Sequence, residues 1–322
     1  MSNPSSHPSE SVPSLPLDSQ AGPTADKVIA GVVYGALAAL VWGISPVMIR
    51  LGVTGALDPY DLVALRFVVC GVILLPLVVR RGMAGLGWGV VLAMVAGAGA
   101  PFILLMAGGL MFAPAGHAGI IIPSIMLSCS MIGGWVVLGE RPNAKRFIGY
   151  GVILAGIGLV GLEGLAGGSG PDAWIGDLMF VCAGMAWAVY TVASKVAKAE
   201  PLHATALVAV ISMSVYLPPY LIWGGFDILA APLSEILLQG FFQGIVLAIL
   251  ALFFYTRAVA YLGAARGAVF AALVPGLAVV SAFPALGEIP SGLELAGVFV
   301  VSGGMLYALG LTRPARNAVD RL

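Results

Sequence analysis

From Val28 onward the chain is a succession of long apolar runs divided by short polar breaks. Ten runs lie at roughly 28–49, 62–79, 86–109, 114–138, 147–164, 175–196, 203–224, 236–256, 267–286 and 293–311. A helix needs about 20 predominantly apolar residues to cross a bilayer. The runs are continuous rather than alternating, and lipid satisfies no open backbone groups, so they predict helices and not barrel strands. Little more than Pro114 divides the third run from the fourth, and Arg257 and Arg266 divide the eighth from the ninth. The pattern predicts an all-α integral membrane protein with ten transmembrane helices.

Composition agrees with this. Hydrophobic residues make up 60% of the chain and charged residues 9%, against about a quarter charged in soluble domains. The 44 glycines suit closely packed membrane helices. Residues 1–27 are rich in Ser and Pro and hold few large apolar groups, which predicts a disordered cytoplasmic tail. No basic stretch precedes a short apolar core there, so the tail does not read as a secretory signal. A formal net charge of zero gives no reason to expect a nucleic-acid partner. Cys70, Cys129 and Cys182 sit in apolar runs without metal-ligand spacing, and His7, His117 and His203 are scattered. Neither a metal nor another cofactor is expected.

Lys and Arg set the orientation. With the N-terminus in the cytoplasm, that side collects Lys27, Arg80, Arg81, Arg141, Lys145, Arg146, Lys195, Lys198, Arg257, Arg266, Arg313, Arg316 and Arg321. Arg50 falls at an outer end and Arg66 inside the second run. The expectation is a multi-pass protein of the inner (plasma) membrane with both termini cytoplasmic.

A repeat runs through the chain. A shift of 148 places Gly139-Glu140 on Gly287-Glu288, Pro142 on Pro290, Gly119 on Gly267, Gly149 on Gly297 and Gly156 on Gly304. A slightly shorter shift places Trp42 on Trp187 and Arg50 on Lys195. The predicted units are residues 28–164 and 175–311, each with five spans. Because five is odd, the halves insert in opposite senses and form an inverted repeat. Such a repeat supplies two nearly equivalent conformations, one open to each side, as in solute carriers.

On these residues the chain resembles the EamA-type transporters of the drug/metabolite transporter superfamily over about residues 28–312. The resemblance is carried by Trp42-Gly43, by Arg66 in Asp61-Leu-Val-Ala-Leu-Arg66, by Gly139-Glu140-Arg141-Pro142 and Gly287-Glu288-Ile289-Pro290, and by the segment from Pro275 to Glu288. Pro123 stands four positions earlier than the repeat register would place it. The resemblance implies a secondary transporter, with an exporter expected, for small organic metabolites such as amino acids, sugars, nucleotide-linked compounds or drugs. The partners expected are a small-molecule substrate and the lipid bilayer. No enzymatic activity is expected. A membrane-embedded lipid-modifying enzyme and a non-transporting assembly subunit are the alternatives. The enzyme would need clustered acid, base or metal ligands, and His117, Glu163 and Asp177 read as scattered near outer helix ends.

Candidate substrate contacts follow from the cost of polar groups in lipid. Arg66 is the one charge read as lying well inside a span. It either meets an anionic group of the substrate or pairs with Asp61 or Asp58. Trp42, Tyr190 and Tyr255 offer apolar faces with a polar handle, and Ser124 adds a hydroxyl beside a proline. Pro123 and Pro275 are expected to break their helices at the substrate site. Glu140 and Glu288, at helix ends beside prolines, are expected to take a capping or loop role rather than to contact substrate. Gly149, Gly151, Gly156 and Gly158 should form a close-packing face. With every carboxylate in a loop or near a helix end, transport is expected to proceed without a dedicated midplane proton site.

Overall fold

The computed structural model describes residues 25–166, 168–223 and 226–310, with the backbone alone described at 25, 264 and 265. Most of the expected N-terminal tail lies outside these residues, but helix is already present from Ala25. The spans are α1 (Ala25–Thr54), α2 (Pro59–Arg81), α3 (Trp88–Phe112), α4 (Ala115–Leu138) and α5 (Ala144–Leu165) in the first half. The second half holds α6 (Ala173–Val196), α7 (Pro201–Ile222), α8 (Leu233–Leu262), α9 (Ala268–Leu286) and α10 (Gly292–Ala308). Among the described residues, nine helices are long and apolar enough to cross a membrane, and the tenth, α10, has 17 residues. Val79, Leu165, Val215, Val280 and Phe299 are each more than two-thirds exposed, as lipid-facing side chains should be.

Helix contacts obey one rule: each helix maps onto the helix five places later. α4 packs on α6 and α9 on α1, while α3 packs on α6 and α8 on α1. α2–α7, α4–α9 and α5–α10 pair directly across the axis that relates the halves. The α5–α10 contact shows the sense of the repeat. Gly149 lies against Ala308, and its carbonyl against Gly304, whereas Gly156 lies against Gly297 and Val301. Rising numbers on one helix meet falling numbers on the other, so the fifth helices of the two halves run antiparallel.

The repeated motif between the fourth and fifth helices has a local cause. Gly139 and Gly287 end α4 and α9 in the left-handed conformation, with φ of 71° and 69°, where glycine has no steric penalty. Asn143 and Ser291, 148 residues apart, then cap α5 and α10, accepting from the Arg146 and Glu294 amides at 3.0 Å each. Of the two roles expected for the glutamates, capping of α5 and α10 falls to these shorter side chains, and Glu140 and Glu288 stay in the connecting loops.

Two expectations need correction. Pro123 does not break its helix, since α4 is continuous from Ala115 to Leu138. Pro275 stands in the first turn of an α-helical segment beginning at Val274, after a tighter 3₁₀ stretch over Ala268–Leu273. The marked irregularities lie instead in the third helix of each half. α3 is interrupted at Gly99, and α8 winds as a π-helix over Phe242–Leu250. Gly99 plus 148 is 247, inside that π segment. Pro101, two residues past the interruption, fits the first turn of the restarted helix.

Candidate functional site

Among the polar side chains buried within spans, one group lies on the facing helices α2 and α8. Gln239, 1% exposed, donates from Nε2 to the Met48 carbonyl at 2.6 Å and lies with Leu62 against Gly52. One turn further along each helix come Arg66 and Gln243. Gly240 and Gly244 bring the α8 backbone against Leu65, Val69 and Cys70. Arg66 is buried, and among the described residues it has no carboxylate partner. The partners it might have had are engaged elsewhere. Asp58 and Asp61 cap α2 reciprocally at 2.9 and 3.0 Å, and the Tyr220 hydroxyl donates to Asp61 at 2.5 Å. Gln243 is equally buried, and its Oε1 has no hydrogen-bond partner. The arrangement places a buried cation and a buried carboxamide on two packed helices, one of them wound as a π-helix at that level. Gln239 and Gln243 were not among the sequence candidates, because glutamine inside an apolar run carries no periodic signal.

The aromatic candidates pair by symmetry. Trp42 packs on Tyr255 across α1 and α8 with centroids 5.2 Å apart. Trp187, the repeat counterpart of Trp42, packs on Phe102 across α6 and α3 at 4.7 Å and on Tyr190 at 5.5 Å. Tyr255 is therefore a packing partner of Trp42. Ser124 is fully buried, and its hydroxyl donates to its own Ile120 carbonyl at 2.5 Å.

At the two ends of the molecule, the repeat produces reciprocal ion pairs. Arg50, at the end of α1, pairs with Glu288 beyond α9. Lys195, at the end of α6, pairs with Glu140 beyond α4 at 2.6 Å. Each pair joins the two halves, and each is the other's image under the exchange of halves. Their surroundings differ. Arg50 also donates to the carbonyls of Leu110 and Ala113 at the end of α3, and Glu288 accepts the Ala115 amide at the start of α4 at 2.9 Å. The charges thereby oppose both helix dipoles. Burial pushes the Glu288 carboxyl up, while Arg50 and the Ala115 amide pull it down. Side-chain exposure is 21% and 19% for Arg50 and Glu288, but 55% and 45% for Lys195 and Glu140.

The Glu288 face also holds a second cluster. His117 Nδ1 lies 2.8 Å from Asp177 Oδ1, and His117 Nε2 lies 3.3 Å from the Ser169 hydroxyl. Ser169 reaches Glu163 at 3.3 Å, and Ser291 donates to the other Glu163 oxygen. His117, Glu163 and Asp177 come from α4, α5 and α6, so folding joins what the sequence left apart. Glu163 and Asp177 stand near the ends of their helices, within about a turn, as the sequence reading placed them.

With the geometry in view, the comparisons with known proteins agree with it. The model of the EamA-like transporter family matches residues 29–162 and again residues 174–310. The chain therefore belongs to the EamA-like transporter family and is a membrane transporter built from two copies of that unit. It is similar to an uncharacterized transporter of Archaeoglobus fulgidus, 25% identical over 278 residues, covering 83% of this chain and 93% of the relative. A solved crystal structure shares the fold, with a TM-score of 0.57 and 21% identity, over 91% of this chain and 99% of that one.

Proposed function

We propose that the protein is a secondary carrier that exports small organic metabolites bearing an anionic group, amino acids or related compounds, across the plasma membrane by alternating access. The observation that carries this is the pair of symmetry-related ion bridges with unequal burial. Two equivalent closures, both paired but one buried and one open to solvent, are what a carrier stopped in one of its two states should present. The abundance of Lys and Arg toward the Glu140 face supports placing that face, and both termini, in the cytoplasm. The Glu288 face is then external, and the described state faces inward. Arg66, a buried cation without a carboxylate partner, supports an anionic group on the substrate, with Gln243 offering an acceptor for a neighbouring amine. Trp42, Tyr190 and Tyr255 supply apolar faces for the remainder.

An acid–base enzyme is less well supported. The His117 cluster has the residue types, and Glu163 and Ser291 line an open cavity of about 520 Å³ there, but His117 itself is 0% exposed and is not among its lining residues.

The test is counterflow in reconstituted vesicles loaded with mixed amino acids and given one labelled amino acid outside. Arg66→Ala should lower initial uptake about tenfold or more, the loss of one charged hydrogen-bonded contact, with unchanged yield of monodisperse protein. Equal losses of uptake and folded yield would assign Arg66 to structure alone.

A further inference from the structure

The cluster on the Glu288 face contains a chain whose hydrogens can be counted. Asp177, His117, Ser169 and Glu163 are joined in series by three hydrogen bonds, at 2.8, 3.3 and 3.3 Å. Each bond needs one hydrogen between its two heavy atoms. A neutral imidazole supplies one and the Ser169 hydroxyl supplies one, while ionised carboxylates supply none. The third bond therefore requires an additional proton. If Ser169 donates to Glu163, His117 Nε2–H donates to Ser169, and the extra proton lies between Nδ1 and Asp177. If Ser169 donates to His117, the extra proton lies on Glu163 and is donated to Ser169. Ser291 does not remove the requirement, since its hydroxyl already donates to Glu163 while accepting the Glu294 amide.

Charge leads to the same result. His117 is 0% exposed, and Asp177, Glu163 and Glu294 are 7%, 7% and 6% exposed. Glu294 lies against Gly116, next to His117. The nearby cation, Arg50, is already on Glu288. With a neutral imidazole the three carboxylates would leave three net negative charges largely away from water, and one added proton reduces this to two. Such charge is neutralised by proton uptake in preference to being buried.

We propose that Asp177, His117, Ser169 and Glu163 form a proton-binding site that is assembled only while the Glu288 face is closed, so that one proton is taken up on closing and released on opening. The chain crosses between the halves, with His117 and Glu163 from the first and Asp177 from the second. Separating the halves at this face breaks the chain and removes the reason for the proton. The site has no counterpart at the Glu140 face: the positions 148 residues from His117 and Glu294 are Ala265 and Arg146. One closure would respond to protons and the other would not. Its consequence for transport, coupling to a pH gradient, rests on the carrier function proposed above. The site lies near one face and not at the midplane, so it stands beside the expectation of transport without a midplane proton site.

The test uses the full chain, purified, with the proton as ligand. Cys70, Cys129 and Cys182 are replaced by Ala, and Ala282→Cys, 2% exposed on α9, reports opening of the Glu288 face by its maleimide rate relative to free cysteine at each pH. The wild-type site should open with rising pH, the rate increasing by up to about tenfold per pH unit, the slope of one proton. Asp177→Asn and Glu163→Gln each supply the missing hydrogen from a side-chain amide that does not titrate. Both should stay closed over the same range, and difference titration should show them binding one proton fewer than wild type. The two variants act at opposite ends of the chain, so misfolding of one, seen by gel filtration, leaves the other. A pH-independent rate in the wild type, or variants that track it, would overturn the site. Neither measurement uses a solute, so an absence of counterflow would count against the carrier and leave the proton site to be judged separately.

Discussion

Arg50 and Lys195 descend from the same position of the repeat, yet one is clamped and the other loosely held. The reason is what each meets. Arg50 adds two backbone carbonyls to its carboxylate, and Glu288 adds a backbone amide. Lys195 has Glu140 and is more than half exposed. A half-exposed pair contributes about 0.5 kcal/mol, whereas breaking a mostly buried one costs about 2 kcal/mol, between surface and fully buried pairs. Glu288→Gln should therefore shift the closed-to-open ratio of its face about 30-fold, and Glu140→Gln about twofold at the other. Maleimide rates at a cysteine buried behind each face measure both. Equal shifts would contradict the asymmetry. Much of this was legible in the sequence. The register of Gly139, Glu140 and Pro142 on Gly287, Glu288 and Pro290, and of Arg50 on Lys195, marked all four charges as repeat positions. Their mutual pairing was not legible, because each glutamate meets a cation from the opposite half, and the axis that unites them exists only in three dimensions. The same holds for His117, Glu163 and Asp177, three residues on three helices with no shared spacing.

Within the helices, the fifth and tenth test how far a small-residue stripe can be read from spacing alone. Four glycines on α5 read as one packing face, but the structure divides them. A Cβ at Gly149 would lie 2.6 Å from the Ala308 Cβ and 2.8 Å from its backbone nitrogen, and one at Gly156 would lie 3.1 Å from the Val301 nitrogen. At Gly151 and Gly158 nothing lies within 4 Å. Gly149→Ala should force α5 from α10 and destabilise the protein by about 1–3 kcal/mol, as overpacking does. Gly151→Ala should be neutral or stabilising by up to about 1 kcal/mol, from helix propensity alone. Thermal unfolding in detergent compares them, and equal effects would refute the assignment of faces. The sequence could not separate the two pairs because both fit a helical stripe of small residues. The helix breaks were misplaced for a related reason. Pro123 and Pro275 drew attention as prolines, but α4 absorbs Pro123, with Ser124 and Ser128 bonding back to the Ile120 and Ser124 carbonyls. The interruption at Gly99 had a readable signal in Gly99-Ala100-Pro101. The π segment in α8 had none, since an extra residue per turn leaves no mark on an apolar run.

For the whole molecule, the repeat imposes equivalence in sequence while the fold occupies one state, so equivalent residues should differ in access. Val47 and Val192 are 145 residues apart, the offset that superposes Trp42 on Trp187. Val47 is 1% exposed, three residues before Arg50. Val192 is half-buried, three residues before Lys195. In a background without native cysteines, Val192→Cys should react with a membrane-impermeant maleimide applied to the cytoplasmic side, and Val47→Cys should resist reagent from either side. Adding Glu288→Gln should reverse this. Val47→Cys would become reactive from outside, and Val192→Cys would slow, because one rigid rearrangement of the halves opens one face only by closing the other. Reagent on right-side-out and inside-out vesicles separates the two faces and reports the orientation at the same time. Simultaneous reactivity at both positions would mean a channel-like opening and would refute alternating access. Reactivity of Val47→Cys from the cytoplasmic side would place Arg50 and Glu288 inside, and the assignment of both termini to the cytoplasm would fall with it.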